Sequence, residues 1–310
     1  VSGPAQLPRS GFGARFLYVM GGQSTIGLAP NEIYDLQTNT WAAGTLPPNL
    51  RQEAAGAVLG GKIYVLGGKF TEATPPSCTV DVFDPQTSTW TASAPMASAR
   101  LAPSAAAVGG KLYAIGGFTD GDWLSSVEAF DPQTGTWANV APMPTSRCRS
   151  GAAVLDGKIY VAGGNNRGRH DSVEVYDPQI NSWTTTTPLS RKRNFVGVAA
   201  LGGKIYVAGG ADDDSSWLTH VEAFNPQTNN WATVAPMSTG RRSPSLTASR
   251  GMLHAVGGIT GYPGTAEAYD PQQDRWEAVA PMSQARCRHV AAARCEATFA
   301  ASPKGRPWLT

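Results

Sequence analysis

Six Gly-Gly pairs recur along the 310-residue chain at intervals of 46 to 49 residues. Each pair is followed by a tyrosine or phenylalanine, and a tryptophan lies seven positions after that aromatic residue. A period of this length indicates that one small supersecondary unit has been copied, and that the copies build a shared core. The pairs are Gly21-Gly22, Gly67-Gly68, Gly116-Gly117, Gly163-Gly164, Gly209-Gly210 and Gly257-Gly258, and the tryptophans are Trp41, Trp90, Trp137, Trp183, Trp231 and Trp276.

The repeat at residues 147–189 predicts four antiparallel strands, a to d. Its second segment, residues 158–162, alternates and is rich in β-branched side chains, as a strand is. Gly163-Gly164 ends that strand, because glycine permits a positive φ and a close approach of neighbouring backbone. Residues 172–176 form the third strand, and Trp183 opens the fourth. A four-stranded meander cannot bury both faces alone, so we expect its large aromatics to pack between neighbouring sheets.

The repeat resembles the kelch repeat, with a double glycine ending strand b, an aromatic residue on strand c and a tryptophan on strand d. The resemblance covers residues 12–297 and implies an all-β, six-bladed β-propeller of four-stranded antiparallel blades. We expect residues 1–11 to be an N-terminal extension and residues 298–310 to be a disordered tail. Because the sequence begins with valine, we also expect it to be a fragment or a processed form.

Ring closure can be predicted from the segments that open with an arginine. The last of them, residues 286–295, has no complete repeat after it, whereas the first Gly-Gly pair lacks a strand a before it. We therefore expect the C-terminal segment to become the innermost strand of the first blade, which removes two open sheet edges. In the alternative, residues 8–14 supply that strand and residues 286–310 form a tail.

Comparison of the six copies separates scaffold from candidate site. An arginine opens every strand a, and we expect it to pair with backbone or with an acid of the blade. Two positions later the residue type changes from copy to copy, and these side chains are expected to surround the mouth of the central channel. The opening arginines are Arg51, Arg100, Arg147, Arg193, Arg241 and Arg286, and the variable residues are Glu53, Ala102, Arg149, Phe195, Ser243 and Arg288.

Arg149 and Arg288 lie three blades apart and should face each other across the channel axis. Two facing guanidinium groups are suited to a carboxylate or phosphate. The alternative is that acidic groups of this same protein pair with both arginines. We predict a partner-binding surface that includes Arg149, Arg288, Glu53, Phe195 and Ser243.

The b–c loops should emerge on the same side as this mouth and differ strongly between copies. Two of them carry a tryptophan outside the repeat pattern, and tryptophan, tyrosine and arginine dominate many binding surfaces. Alternatively, these tryptophans attach their loops to the blade. The candidate loop residues are Trp123, Trp217, Arg167, Arg169 and Tyr262.

Composition argues against several functional classes. The net charge of +2 and the scattered basic residues do not favour nucleic-acid or membrane partners. Cys78, Cys148, Cys287 and Cys295 have no zinc-site spacing and are expected to be reduced thiols of a cytoplasmic, or alternatively nuclear, protein. The aspartates at 212–214 are expected to be solvated rather than to bind calcium, and we predict no metal or other cofactor.

The sequence predicts a protein-interaction module that binds a partner peptide or loop at the channel mouth, and not an enzyme. By resemblance, similar propellers present substrates to cullin-type ubiquitin ligases through an attached BTB or F-box domain, neither of which is in this chain. The alternative is a small-molecule enzyme or binder for an anionic, sugar-like ligand at the same arginines, because related propellers epimerise sialic acids.

Overall fold

The structure is a computed structural model that describes residues 14–214, 216–258 and 264–294, and every regular element in these ranges is a β-strand. Blades 1 to 3 and their short hairpins contain β1 (Phe16–Met20), β2 (Gln23–Ser24), β3 (Gly27–Leu28), β4 (Glu32–Asp35), β5 (Thr40–Ala43), β6 (Ala55–Leu59), β7 (Lys62–Leu66), β8 (Val80–Asp84), β9 (Thr89–Ser93), β10 (Ser104–Val108), β11 (Lys111–Ile115), β12 (Phe118–Thr119), β13 (Asp122–Trp123), β14 (Val127–Asp131) and β15 (Thr136–Val140). Blades 4 to 6 and the closing strand contain β16 (Gly151–Leu155), β17 (Lys158–Ala162), β18 (Val173–Asp177), β19 (Ser182–Thr186), β20 (Gly197–Leu201), β21 (Lys204–Ala208), β22 (Val221–Asn225), β23 (Asn230–Val234), β24 (Ser245–Ser249), β25 (Met252–Val256), β26 (Gly264–Asp270), β27 (Arg275–Met282) and β28 (Val290–Arg294).

Six four-stranded antiparallel sheets form the blades of a β-propeller, which confirms the predicted fold. Blades 2 to 6 are continuous in sequence, whereas blade 1 has the strand order β28-β1-β4-β5. Met20 pairs with Val290 and Phe16 with Arg294, so the C-terminal strand is the innermost strand of blade 1. The predicted closure is confirmed. Because the C-terminal strand β28 pairs with the N-terminal strand β1, neither strand is left as an open sheet edge.

Aromatic side chains join neighbouring blades in the same way six times. Within each blade the strand-c ring lies against the strand-d tryptophan, with ring centroids 4.8 to 5.2 Å apart. Each indole N–H then donates to a carbonyl at the end of the outer strand of the preceding blade or just after it, over 2.6 to 3.3 Å. The first of these bonds runs from Trp41 to Ala280 and therefore links blade 1 to blade 6.

The double glycine is required by a close approach between blades. Gly163 has a φ of 63°, and a Cβ built on it would lie 2.6 Å from the carbonyl oxygen of Arg193 in the next blade. A Cβ on Gly164 would lie 2.8 Å from the carbonyl oxygen of Cys148. Real Cβ atoms do not approach oxygen this closely, so both positions exclude side chains. Across the six pairs a Cβ on the first glycine would lie 2.4 to 2.7 Å from the equivalent carbonyl oxygen, and a Cβ on the second would lie 2.6 to 3.2 Å from its own.

The arginine that opens each strand a is buried and holds its own blade together, as predicted. Arg147 donates from Nη1 to the carbonyls of Gly163 and Ser172 and from Nη2 to Glu174, at 2.6 Å. Equivalent pairs with a strand-c acid occur in all six blades. They are Arg51–Asp81, Arg100–Glu128, Arg147–Glu174, Arg193–Glu222, Arg241–Glu267 and Arg286–Glu32.

The two rims of the propeller differ. Backbone bridges join the start of each strand a to the start of a b–c loop, for example Cys148 to Asn165. The b–c loops and the channel mouth therefore share one rim, and the a–b and c–d turns form the other. The predicted extension 1–11, the predicted tail 298–310 and Cys295 lie outside the described residues. Within the described ranges, no helix is long and apolar enough to cross a membrane.

Candidate functional site

The channel mouth is built on six residues in the left-handed backbone conformation, with φ between 47° and 61°. In blades 2 to 6 the N–H of this residue donates to the carbonyl of its counterpart in the preceding blade, over 2.8 to 3.0 Å. Such a conformation is uncommon for residues with side chains and marks a constrained position. We call these residues the mouth ring. They are Glu53, Ala102, Arg149, Phe195, Ser243 and Arg288.

Arg149 and Arg288 converge on one buried carboxylate. Glu53 Oε1 lies 3.1 Å from Arg288 Nε and 3.6 Å from Arg149 Nη2. Arg288 Nη1 also lies 3.3 Å from Gln23 Oε1 and 3.6 Å from Glu72 Oε1. The two arginines come from blades 4 and 1, which are three steps apart, as the repeat count predicts. An acid of this same protein does pair with both, which is the alternative raised by the sequence.

Phe195 carries two further cationic contacts. The Arg149 guanidinium lies 4.7 Å from the centre of its ring, and the Arg242 guanidinium lies 4.3 Å from it. Burial lowers the pKa of Arg242, and the positive charges of Arg288 and Arg149 lower it further. A cation over an aromatic face is stabilised by the ring quadrupole. Phe195 thus holds two arginines beside the channel axis.

All six mouth-ring residues line one cavity of about 120 Å³. His289 lies one residue deeper than Arg288, and its ring borders the cavity as well. Burial lowers the pKa of His289 to about 3, and the charge of Arg286 acts in the same direction. The imidazole is therefore neutral at physiological pH. Charged groups at the mouth are three arginines and the Glu53 carboxylate, with Glu72 at its outer edge.

Comparisons with known proteins agree with this geometry. Residues 11–192 match a family described as "KLHDC2/KLHL20/DRC7 Kelch-repeats domain", and residues 192–238 and 240–283 match the kelch motif. The chain belongs to the kelch-repeat family. A solved structure described as "Structure of YjhT" is similar in fold, with a TM-score of 0.72 and 18% identity over 86% of this chain and 95% of that chain. A comparison with curated protein sequences gives no match.

Three b–c loops of this kelch propeller carry a functional candidate at the same position of the repeat, and sequence reasoning recognised this match for only two of them. Trp123 and Trp217 are each followed by a leucine whose carbonyl accepts a hydrogen bond from the next opening arginine. Arg169 occupies the same position before His170, and the three lie five residues before their strand-c acid. The matching Trp-Leu context is therefore partly structural. In sequence, Tyr262 has the same spacing from Glu267, but it lies outside the described residues.

The two tryptophans have different surroundings. The Trp123 ring packs edge-on against Phe118 of its own hairpin, with centroids 5.5 Å apart. This contact lies within the b–c loop itself and does not by itself attach the loop to the blade. Trp217 is 41% exposed and bridges to Ala211 through its backbone. Of the two, Trp217 is the better placed to contact a partner.

Basic and acidic loop residues pair with each other along the rim of blades 4 and 5. Arg169 Nη1 lies 3.2 Å from Asp213 Oδ1, and Arg191 Nη1 lies 3.6 Å from Asp212 Oδ2. The described residues contain no group of three or more histidine, cysteine or acidic side chains arranged to hold a metal ion. Arg167 is exposed. The aspartate run thus neutralises neighbouring arginines.

Sequence reasoning missed Arg242 and His289. Arg242 follows the buried Arg241 directly and occupies the position held by Cys148 and Cys287 in the blades that carry Arg149 and Arg288. Comparison of that second variable position would have found it. Burial raises the pKa of Cys148 to about 11, which Arg149 partly opposes, so this thiol is protonated and a poor nucleophile.

Proposed function

We propose that this kelch propeller is a protein-interaction module whose channel mouth binds an acidic segment of a partner protein. The observation that carries the proposal is the convergence of Arg149 and Arg288 on a 120 Å³ cavity whose wall contains one buried carboxylate, Glu53, with Arg242 over the ring of Phe195 nearby. The three guanidinium groups, the Glu53 carboxylate and the Glu72 carboxylate beside Arg288 leave one positive charge at the mouth. A carboxylate of a partner would meet donors that are fixed in place before it arrives.

The exposure of the arginines supports binding from solution. The Arg149 and Arg288 side chains are 30% and 24% exposed, whereas the scaffold arginines are almost fully buried. Arg149 Nε is buried and has no hydrogen-bond partner among the described residues. A buried donor without an acceptor is costly, and an incoming oxyanion would supply the acceptor.

The proposal extends to a cellular role only by analogy with other kelch proteins. In that role the propeller would recognise substrates for a cullin-type ubiquitin ligase in the cytoplasm or nucleus, through a domain that is not in this chain. Binding rather than catalysis is proposed, because Cys148 is protonated and His289 has no acid beside it in the described part of the mouth.

Affinity capture followed by mass spectrometry tests the proposal. The double variant Arg149→Ala/Arg288→Ala removes two positive charges from the mouth, and we expect it to lose its partners. The matched control, Lys158→Ala/Lys204→Ala, removes two positive charges from the opposite rim and should keep them. Equal partner profiles for the two double variants would contradict the proposed surface.

The second candidate function, small-molecule binding at the same mouth, is favoured by the presence of the 120 Å³ cavity itself. Ligand that binds only the folded state raises the melting temperature by mass action. Thermal-shift measurements with anionic sugars and other small acids therefore separate the candidates. Stabilisation that is lost in Arg149→Ala/Arg288→Ala would support the small-molecule reading, and an unchanged melting temperature across the panel would leave the protein-binding proposal in place.

A further inference from the structure

Glu53 is the one acid of the mouth ring, and only half of its carboxylate is used. Its side chain is 2% exposed, and Oε1 faces Arg288 and Arg149. Oε2 is buried and has no hydrogen-bond partner among the described residues. An ionised carboxylate only accepts hydrogen bonds, so this oxygen needs a donor. A ligand that enters the mouth can provide one.

The orphan acceptor has an orphan donor as its counterpart. Arg149 Nε is buried without an acceptor, and both Arg149 and Glu53 line the same cavity. The two unsatisfied groups have opposite requirements, because one needs an oxyanion and the other needs an N–H or O–H. A group with both properties would satisfy them together, which a bare anion cannot do.

The charge of Glu53 also distinguishes a carboxylate with a neighbouring donor from a bare anion. Glu53 partly neutralises Arg149 and Arg288, and its free oxygen repels a second oxyanion that approaches the cavity. This repulsion rises with the negative charge of the ligand. Glu53 therefore removes more of the attraction between the arginines and a doubly charged phosphate than of their attraction to a singly charged carboxylate.

We propose that Glu53 determines the specificity of the mouth, by selecting a partner segment in which a carboxylate stands beside a hydrogen-bond donor and by weakening the binding of phosphorylated segments. The inference rests on the proposed function, since it concerns the ligand of that same surface. Glu53 stays paired with the arginines when the ligand binds, and the ligand therefore has to donate a hydrogen bond to Glu53 instead of displacing it.

The experiment uses three small probes that mimic the competing groups. Glycolate combines a carboxylate with a hydroxyl donor, acetate lacks the donor, and inorganic phosphate at pH 8 is a dianion. Binding is followed by NMR titration of the Arg149 Nε–H signal. We expect wild-type protein to bind glycolate at least several-fold more tightly than acetate, which has the same charge, and Arg149→Ala/Arg288→Ala to bind none of the three probes, as judged by backbone amide shifts.

The variant Glu53→Gln keeps the size of the side chain and removes its charge. We expect it to bind acetate and phosphate about tenfold more tightly and to lose most of the preference for glycolate, because the charge near the arginines is gone. Glu72→Gln is the matched control. It removes a 60% exposed acid that also lies beside Arg288, and it should change each affinity by less than about twofold.

Two results would overturn the inference alone: wild-type binding of acetate as tight as that of glycolate, or unchanged affinities in Glu53→Gln. The first does not depend on whether the variant folds. Partner capture that survives Arg149→Ala/Arg288→Ala would instead overturn the proposed function, and wild-type protein that binds none of the three probes would count against the inference while leaving the proposed function in place.

Discussion

Arg147 and Arg149 are two residues apart and have opposite environments. Arg147 is completely buried, bonds two carbonyls of its own blade and lies 2.6 Å from Glu174. Arg149 is 30% exposed and reaches Glu53, in another blade, only at 3.6 Å. The first arrangement recurs in all six blades, whereas the second recurs only at Arg288 among the mouth-ring residues. The comparison teaches that a buried, repeated arginine builds the propeller, and that a neighbouring arginine at a variable position is available for binding.

Truncation of the two arginines should separate these roles most strongly. Arg147→Ala leaves the Glu174 carboxylate buried and unpaired, which typically costs about 3 to 5 kcal/mol of the free energy of unfolding. Arg149→Ala should cost less than about 1 kcal/mol, because its ion pair is long and partly exposed. Urea unfolding of the two variants measures the difference. Similar losses would mean that Arg149 is also part of the scaffold.

A histidine in place of a repeated tyrosine predicts a pH effect of similar size. His254 occupies the strand-b position of Tyr160 and Tyr206, and burial lowers its pKa from 6.5 to about 4. Between pH 6.5 and 4, His254 is protonated in the unfolded chain but neutral in the folded protein. Stability is therefore lost as the pH falls towards 4, by about 3 kcal/mol for this residue.

The variant His254→Tyr restores the repeated residue and tests that assignment. Its free energy of unfolding should fall less steeply than that of wild type between pH 6.5 and 4, when both are measured by urea unfolding. His289, with a pKa of about 3, remains in both proteins and supplies a common background. Parallel pH profiles would show that His254 does not carry the proton difference.

Glycine substitutions extend the comparison to the backbone between blades. Gly163→Ala introduces a Cβ 2.6 Å from the Arg193 carbonyl, whereas Gly157→Ala, also at positive φ, meets nothing within 4 Å. Gly157→Ala should cost about 1 kcal/mol for the backbone conformation alone. Gly163→Ala should cost at least about 1 kcal/mol more because of the clash. Equal melting temperatures would refute the close approach as the reason for the double glycine.

The smallest expected effect concerns the one blade with a shorter acid. Asp81 stands where the other blades have glutamate, and a cavity of about 10 Å³ lies beside Asp81, Pro47 and Asn49. In blade 3, by contrast, Glu128 also accepts the Ala97 N–H at 2.6 Å. Asp81→Glu should fill this space and raise stability by about 0.5 to 1 kcal/mol, and Glu128→Asp should lower it by a similar amount. A loss in the first variant would show that the blade 2 junction has adapted to aspartate.

The fold could be predicted from the sequence because six copies constrain one another. Each copy repeats the same glycines, aromatics and arginine, so the strand order, the closure by residues 286–295 and the burial of Arg147 and its counterparts follow from comparison within one chain. The facing positions of Arg149 and Arg288 also follow, since they require only a count of blades. These inferences use positions that the repeat fixes.

The chemistry of the mouth could be predicted only in part. That Glu53 lies between Arg149 and Arg288 depends on side-chain directions at positions that have no repeat to constrain them. Arg242 was overlooked because its neighbour Arg241 satisfies the repeat pattern. The common position of Trp123, Arg169 and Trp217 could have been found by counting back from strand c, whereas their different exposures depend on how each loop packs.

Site-specific photo-cross-linking tests the central claim most directly. The photoreactive residue p-benzoyl-phenylalanine would replace Ser243, in the mouth ring, or Ile180, which is 70% exposed on the opposite rim. The account predicts that partners cross-link through position 243, that the cross-linked segment is acidic, and that Arg149→Ala/Arg288→Ala abolishes the product. Cross-linking through position 180 and not through position 243 would contradict it.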